Sequence, residues 1–427
     1  MNGEFVGTWS RTRGKHELVY DAKWVASPRG RPLSLSLPFL PGNLAHGGDG
    51  VLHYFENLLP DRAEARMWLR DRFRTRSAQA FDLLAEVGRD CVGAVQLLPP
   101  YEKQPRVTEI QGKTLSESAI ARRLEMAAGT HAPGFDHDEF RISLAGAQEK
   151  TAFLRHQGAW YKPIGPTPST HIFKLPMKSV GGVTDIGSYS VENEWLCSKI
   201  MAAYGLPVAR SSIEQFEDYQ VLVVERFDRR LSSDGTWWIR LPVEDFCQVK
   251  GLPPDKKYET DGGPGIDAVM SILSGSTQPE TDRLSFFRTQ LLFWLLAAVD
   301  GHAKNFSVLL GPQGSYCLAP LYDILSVYPW IGKKHTQLTM QKLKMAMALR
   351  SRNAHYKWDT IHRRHWIETA GRHGLSHSGE ALVADVVEHL PRVLETVGAE
   401  IPTGFPGRVV ESIFSGMQNA AARLSSE

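Results

Sequence analysis

Residues 291–323 read LLFWLLAAVDGHAKNFSVLLGPQGSYCLAPLYD, and the rest of the chain is organised around them. The apolar run Leu291–Val299 stops at Asp300, and Gly301, His302, Ala303, Lys304 and Asn305 follow. A β-branched and leucine-rich piece, Phe306–Leu310, then a Gly-Pro-Gln-Gly turn and a second apolar piece, Tyr316–Leu321, lead to Asp323. The first run predicts a buried helix with a carboxylate at its end. The two later pieces predict a hairpin that delivers a second acid, with the amide of Asn305 between the two carboxylates.

Phosphoryl transfer uses such a set: a carboxylate to orient the attacking hydroxyl, and oxygen ligands for Mg²⁺. Asp-x-x-x-x-Asn, then a hairpin and Asp, is the order of base, metal amide and metal carboxylate in protein kinases. The usual His-Arg-Asp and Asp-Phe-Gly wording is absent. On spacing alone, a helix end, an Asn turn and a strand-end Asp with purely structural roles remain an alternative.

The chain has 427 residues, enough for two or three domains, and 42% of them are hydrophobic. A net charge of +2 says little about partners, so any nucleic-acid contact has to come from a local patch. Cys91, Cys197, Cys247 and Cys317 are scattered without CxxC spacing, which argues against a zinc site or a disulfide scaffold. No signal peptide opens the sequence, and no apolar run approaches the roughly 18 residues of a membrane span. A reduced cytoplasm is the expected compartment.

Toward the N-terminus, Glu4–Trp9, His16–Tyr20 and the alternating LSLSL of Leu33–Leu37 predict strands. HYFENLLPDRAEARMWLRDRF predicts a helix, SAQAFDLLAEVG a second one stopped by Gly88, and CVGAVQLLP a closing strand. Pro99–Pro105 reads as a linker, and Thr114–Ala128 as a helix. FRISLAG, KTAFLRHQGAWY, STHIFKLP, VLVVERFDRR and WWIRLP read as strands, with a helix over Tyr189–Gly205. Beyond Glu244 helical periodicity dominates, with helices over Ser378–Val397, kinked or split at Pro391, and over Gly407–Leu424.

Several stretches could carry chemistry. ISLAGAQEKTAFL is a small-residue loop whose backbone N–H groups could approach phosphates, or a plain strand-joining turn. Lys174 stands on a strand face opposite to Phe173 and Leu175, either as a phosphate partner or as a snorkelling surface lysine. Glu192 and Glu194 follow on a helix. Glu225 and Phe227 end a buried strand where a nucleotide base could meet backbone, if it is not an ordinary sheet strand. His362, His365, His373 and His377 read as a solvated basic face rather than a metal site. Between Asp323 and Asp359 there is no acid, while Lys333, Lys334, Lys342, Lys344, Arg350, Arg352 and Lys357 occur there. That run suits either phosphate binding or lysines balanced by distant acids.

In order along the chain, FENLLPD, LLAEVGRDCVGAVQLLP, ISLAGAQEKTAFL, STHIFKLP, ENEWLCSKIMAAYGLPVA, VVERFDR, EDFCQVKG, DGHAKNFSVLL and LAPLYDILS resemble the HipA-type serine/threonine kinases. These are toxins of bacterial HipBA toxin–antitoxin modules. The resemblance implies an α+β, protein-kinase-like two-lobe fold of HipA type. It divides the chain into an N-terminal α/β subdomain over 1–100, a β-rich nucleotide lobe over 101–250 and a mainly helical catalytic lobe over 251–427. It implies ATP and Mg²⁺, with Asp300 orienting the substrate hydroxyl and Asn305 and Asp323 holding the metal. Ala145, Gly146, Ala147, Gln148 and Lys150 would lie over the phosphates, Lys174 would contact them, and Glu225 and Phe227 would form the adenine hinge. His302 and Lys304 complete the nucleotide set and are candidate donors to a phosphoserine at Ser143, the implied regulatory autophosphorylation site. The implied partners are a HipB-like helix-turn-helix antitoxin, operator DNA through that complex, and an aminoacyl-tRNA synthetase as substrate, the glutamyl enzyme first. Two rivals are a DNA-associated corepressor subunit without chemistry and a small-molecule kinase. The three polar catalytic residues argue against the first, and the N-terminal unit and Ser143 loop against the second.

Overall fold

The computed structural model describes residues 1–102, 106–129, 148–177, 189–332, 337–375 and 379–426. It is an α+β protein whose internal contacts divide it into two units. One comprises Met1–Leu175, Glu214–Lys257 and Ser307–Tyr316; the other comprises Pro176–Ile213, Tyr258–Phe306 and Cys317–Glu427.

The first unit opens with the antiparallel strands Gly7–Thr12 and Lys15–Tyr20. The helices Asp49–Glu56 and Ala80–Val87 bury Tyr54, Phe55, Leu83, Leu84 and Val87 in one core with Leu18, Tyr20 and Trp24. The helical pattern of HYFENLLPDRAEARMWLRDRF resolves into two helices: Asp49–Glu56 ends before Pro60, which offers no N–H to a continuing helix, and Ala63–Phe73 follows the Pro-Asp start. LSLSL is a turn rather than a strand. Ser34 Oγ accepts from Ser36 N at 3.0 Å, and both hydroxyls donate to the Gln248 carbonyl. Serine side chains that bond backbone in this way compete with a sheet ladder, so the alternation misleads. CVGAVQLLP is likewise irregular; Gly93 takes φ +74°, and its N–H donates to the Asp228 carboxylate at 2.7 Å.

The main sheet of this unit sets five neighbouring strands side by side: Gly112–Thr114, Ala159–Pro163, Lys150–His156, His171–Lys174 and Tyr219–Glu225. Each pair is antiparallel. The helix Glu117–Ala127, capped by Ser116, lays Ile120 and Leu124 on Phe153, Phe173, Val221 and Val223. Behind the end of the Tyr219–Glu225 strand lies a buried ionic cluster. Asp90 meets Arg229 at 3.0 Å and Arg240 at 3.3 Å, while Asp228 meets Arg226 and Arg229 at 2.9 Å each. Burial alone would raise the Asp90 carboxyl, but Arg229, Arg226, Arg240 and the Ser169 hydroxyl hold it well below the usual carboxylate range. Removing one partner from a cluster this dry leaves an uncompensated buried charge, which costs more than the intact cluster contributes.

The second unit is mainly helical: Ser190–Ala203, Ile266–Leu273, Pro279–Leu295, Arg363–Arg372, Gly379–Ala399 and Gly407–Ser425. The helix Gly379–Ala399 runs through Pro391 without a break, so the expected split does not occur. Pro279 opens its helix at a position that needs no N–H donor, and Glu280 and Asp282 suit the positive end of its dipole. Its last turns, Leu291–Leu295, are buried on every side, which marks a central helix. Trp294 stacks on Trp358 at 5.1 Å, and each indole N–H donates to the other's carbonyl. The basic run is not helical: Lys344–Arg350 and Ala354–Lys357 form an antiparallel hairpin, and alternate burial along Lys344–Arg350 is overridden by a fully buried stretch Met345–Leu349. His365 is buried against His355, ring centroids 3.9 Å apart, so the solvated-face expectation fails there. Burial first, then His355, push its imidazole down to about 4.

Candidate active site

Asp300 does not end the helix. Pro279–Leu295 stops earlier, Ala297 takes φ +48°, and Asp300 follows on an exposed turn. The reason is local: the left-handed residue reverses the chain, and the Ala298 N–H returns to the Phe293 carbonyl at 2.8 Å. Gly301 is required at its position, since a Cβ there would meet the Phe293 ring at 2.5 Å. The segment then closes on itself. His302 N–H donates to the Asp300 carbonyl at 2.8 Å, and Asn305 N–H to the His302 carbonyl at 2.9 Å. The Asn305 side chain donates through Nδ2 to the Asp300 carbonyl at 3.0 Å. The spacing of Asp300 and Asn305 is therefore the span of one closed loop. Because Nδ2 is committed to that carbonyl, Oδ1 is the atom of the amide suited to a metal.

Asp323 sits at φ +62°, a left-handed conformation that non-glycine residues adopt rarely and that concentrates at functional sites. Both flanks are fixed within the same unit. Before it, Leu321 N–H donates to the Pro207 carbonyl, and Ala209 N–H to the Leu321 carbonyl, each at 2.8 Å. After it, Asn193 clamps Ser326: its Nδ2 donates to the Ser326 carbonyl at 2.7 Å, and its Oδ1 accepts from Ser326 N–H at 2.9 Å. Both residues have no exposed surface. Val327 N–H donates to the Ala297 carbonyl at 3.1 Å, so the Asp323 loop and the turn before Asp300 are bonded to each other.

Sequence reasoning passed over Asn193, Tyr258 and Tyr322. The Tyr258 hydroxyl donates to Asp300 Oδ1 at 2.6 Å, and that of Tyr322 to the Lys304 carbonyl at 3.0 Å. Nothing near Asn193 in sequence points at Ser326, and nothing near Tyr258 points at Asp300. His302 and Lys304 are buried, with His302 edge-on to the Tyr258 ring at 5.0 Å. Glu192 and Glu194 are buried on the same helix as Asn193, and burial raises the Glu192 carboxyl.

In the first unit, Lys174 is 6% exposed, so it is no snorkelling surface residue, and Phe173 and Leu175 join the core. Lys150 stands directly opposite Lys174 in the antiparallel ladder. Like charges opposite each other on one sheet face repel, so the pair is stable only with anionic groups nearby. Gln148 Nε2 donates to the Leu175 carbonyl at 2.7 Å. Glu225 is exposed at the strand end and Phe227 half-buried beyond it. Ser143, Ala145, Gly146 and Ala147 lie outside the described residues, as do Lys333, Lys334 and His377. Among the described residues no group of three or more His, Cys, Asp or Glu is arranged as a metal site by itself. Mg²⁺ held between protein and phosphates needs fewer protein ligands than that, and the Asn305 amide oxygen and Asp323 carboxylate are the hard oxygen donors it prefers.

The HipA-like C-terminal domain model matches residues 142–394, and the HipA N-terminal domain model matches residues 1–98. This chain belongs to the HipA family of kinases. Among relatives of this chain, the candidate kinase Y4mE of Sinorhizobium fredii is 33% identical over 353 residues, covering 81% of this chain and 81% of that protein. The serine/threonine-protein kinase toxin HipA of Shewanella oneidensis is 26% identical over 338 residues, covering 77% of this chain and 73% of that one. A solved structure of the Shewanella oneidensis toxin–antitoxin system, HipA and HipB with operator DNA, superposes at a TM-score of 0.80 and 22% identity. That superposition covers 99% of this chain and 95% of the other, and the kinase-like α+β fold is thereby shown.

Proposed function

We propose that this HipA-family chain is an ATP- and Mg²⁺-dependent serine/threonine-protein kinase that acts as the toxin of a toxin–antitoxin pair. The observation that carries the proposal is the closed loop in which Asn305 is bonded to the Asp300 carbonyl while the Asp300 carboxylate stays exposed. Asp300 accepts the proton of the acceptor serine or threonine as its oxygen bonds to the γ-phosphorus and the bond to the β–γ bridging oxygen breaks, releasing ADP. Asn305 and Asp323 hold Mg²⁺, which supplies charge neutralisation for the phosphates when bound. The proposed phosphate contacts are Lys174, Lys150 and residues 145–148, the proposed adenine contacts Glu225 and Phe227, and His302 and Lys304 are the further proposed nucleotide residues.

The partner is a HipB-like helix-turn-helix antitoxin, and the pair sits on operator DNA. This assignment is supported by the complex that the Shewanella oneidensis relative forms. The basic stretch 333–357, in which Lys342 and Lys344 are exposed, is the candidate contributor of phosphate contacts in that assembly. The substrate is an aminoacyl-tRNA synthetase, with the glutamyl enzyme as first choice, and phosphorylation of Ser143 turns the kinase off. The site of action is the cytoplasm; no helix among the described residues is long and apolar enough to cross a membrane. Incubating a lysate with the protein and γ-labelled ATP, then identifying labelled proteins by mass spectrometry, tests the proposal. A labelled serine or threonine in a synthetase supports it, and an absence of labelled protein overturns it.

A further inference from the structure

The Tyr258 hydroxyl donates to Asp300 Oδ1 at 2.6 Å, the one side-chain contact the structure gives this exposed carboxylate among the described residues. The tyrosine is mounted rigidly for a loop residue. Its carbonyl accepts from Asp261 N–H at 3.0 Å and from Gly263 N–H at 2.9 Å. Its neighbour Glu259 accepts from Ala348 N–H at 2.6 Å and is ion-paired with Arg350, which also reaches Asp267 at 3.5 Å. The ring itself stands edge-on against buried His302. The short 3-10 turn Glu259–Asp261, which follows the tyrosine directly, therefore holds one phenol against one carboxylate.

Resting on the kinase reading of Asp300, we propose that Tyr258 is a positioning residue: its hydroxyl binds Oδ1 and fixes the carboxylate plane, so that Oδ2 is the oxygen that takes the acceptor hydroxyl's proton. An exposed aspartate otherwise rotates about χ2 with little restraint. Proton acceptance requires heavy-atom approach near hydrogen-bond distance, so a carboxylate held in one orientation raises the fraction of productive encounters. The effect belongs to turnover and not to binding, because Tyr258 bonds the base and neither the nucleotide nor the acceptor.

Tyr258→Phe keeps the ring against His302 and removes only the hydroxyl; Tyr258→Leu removes both. Rates of label transfer from ATP into lysate protein are measured at varied ATP and varied lysate concentration, with melting temperature alongside and Asp300→Asn in parallel. The expected result for Tyr258→Phe is a kcat lowered about five- to tenfold, the scale of one hydrogen bond, with half-saturating ATP and lysate concentrations and melting temperature unchanged. Tyr258→Leu is expected to lose as much kcat. If Tyr258→Phe turns over like the wild type, the assignment is overturned. A lowered half-saturating lysate concentration with unchanged or higher kcat would instead mean that the phenol blocks the acceptor's place, which also overturns it. If the wild type transfers nothing, or Asp300→Asn transfers as fast as the wild type, the kinase reading of Asp300 fails first.

Discussion

Asn193→Ala is the substitution for which the structure gives the fullest expectation. Asn193 and Ser326 have no exposed surface and exchange two hydrogen bonds, at 2.7 and 2.9 Å. Alanine strands the Ser326 N–H and carbonyl in a dry interior, and each orphaned group costs about 1–3 kcal/mol. A loss of roughly 2–4 kcal/mol follows, after allowing for partial relaxation and a water entering the gap. For a cooperative unit of this size that lowers the melting temperature by roughly 4–16 °C. The clamp also holds the loop that keeps Asp323 at φ +62°, so the loss should fall on metal-dependent nucleotide binding as well as on stability. Thermal unfolding followed by circular dichroism, and calorimetric titration of ATP with and without Mg²⁺, measure the two effects. A variant that melts within a degree or two of the wild type and binds Mg²⁺–ATP equally well would refute the reasoning.

Asp323→Ala is expected to weaken nucleotide binding in Mg²⁺ far more than in its absence, since a carboxylate is the ligand lost; equal losses in the two titrations exclude a metal role. Glu244 is fully buried and accepts from Leu35 N–H at 2.8 Å, and burial pushes its carboxyl from 4.5 up to about 8. The folded protein then binds a proton there that the unfolded chain releases, so this contribution is complete below pH 4.5 and is lost as pH rises toward 8. Glu244→Gln, which mimics the protonated acid, should melt above the wild type at pH 8.5 and close to it at pH 5; a constant difference across that range contradicts the assignment.

A turn at Asn305 was legible in the sequence because its chemistry is local, the amide reaching back to the Asp300 carbonyl; that the helix stops at Leu295, before Asp300, was not. The Lys150–His156 and Ala159–Pro163 hairpin was legible for a similar reason, since Gln157 and Gly158 both take positive φ at the turn. What was not legible depends on partners far away in sequence. Asn193 finds Ser326 and Tyr258 finds Asp300 only after the chain has folded, and neither residue type signals its partner. LSLSL failed for a different reason: its period of two suits a strand, yet here Ser34 is buried beside Leu33 and Leu37, and its hydroxyl bonds the Gln248 carbonyl. Helical periodicity beyond Glu244 likewise masked the Lys344–Arg350 strand, whose buried run has no polar alternation to reveal it.

The central claim is that Asp300 is the base of a phosphoryl transfer. Transfer of γ-labelled phosphate from ATP to lysate protein by the wild type and by Asp300→Asn, at matched ATP occupancy, tests it most directly. The account predicts that Asp300→Asn keeps the wild-type melting temperature and ATP affinity while its transfer rate falls by at least about two orders of magnitude; transfer near the wild-type rate would contradict it.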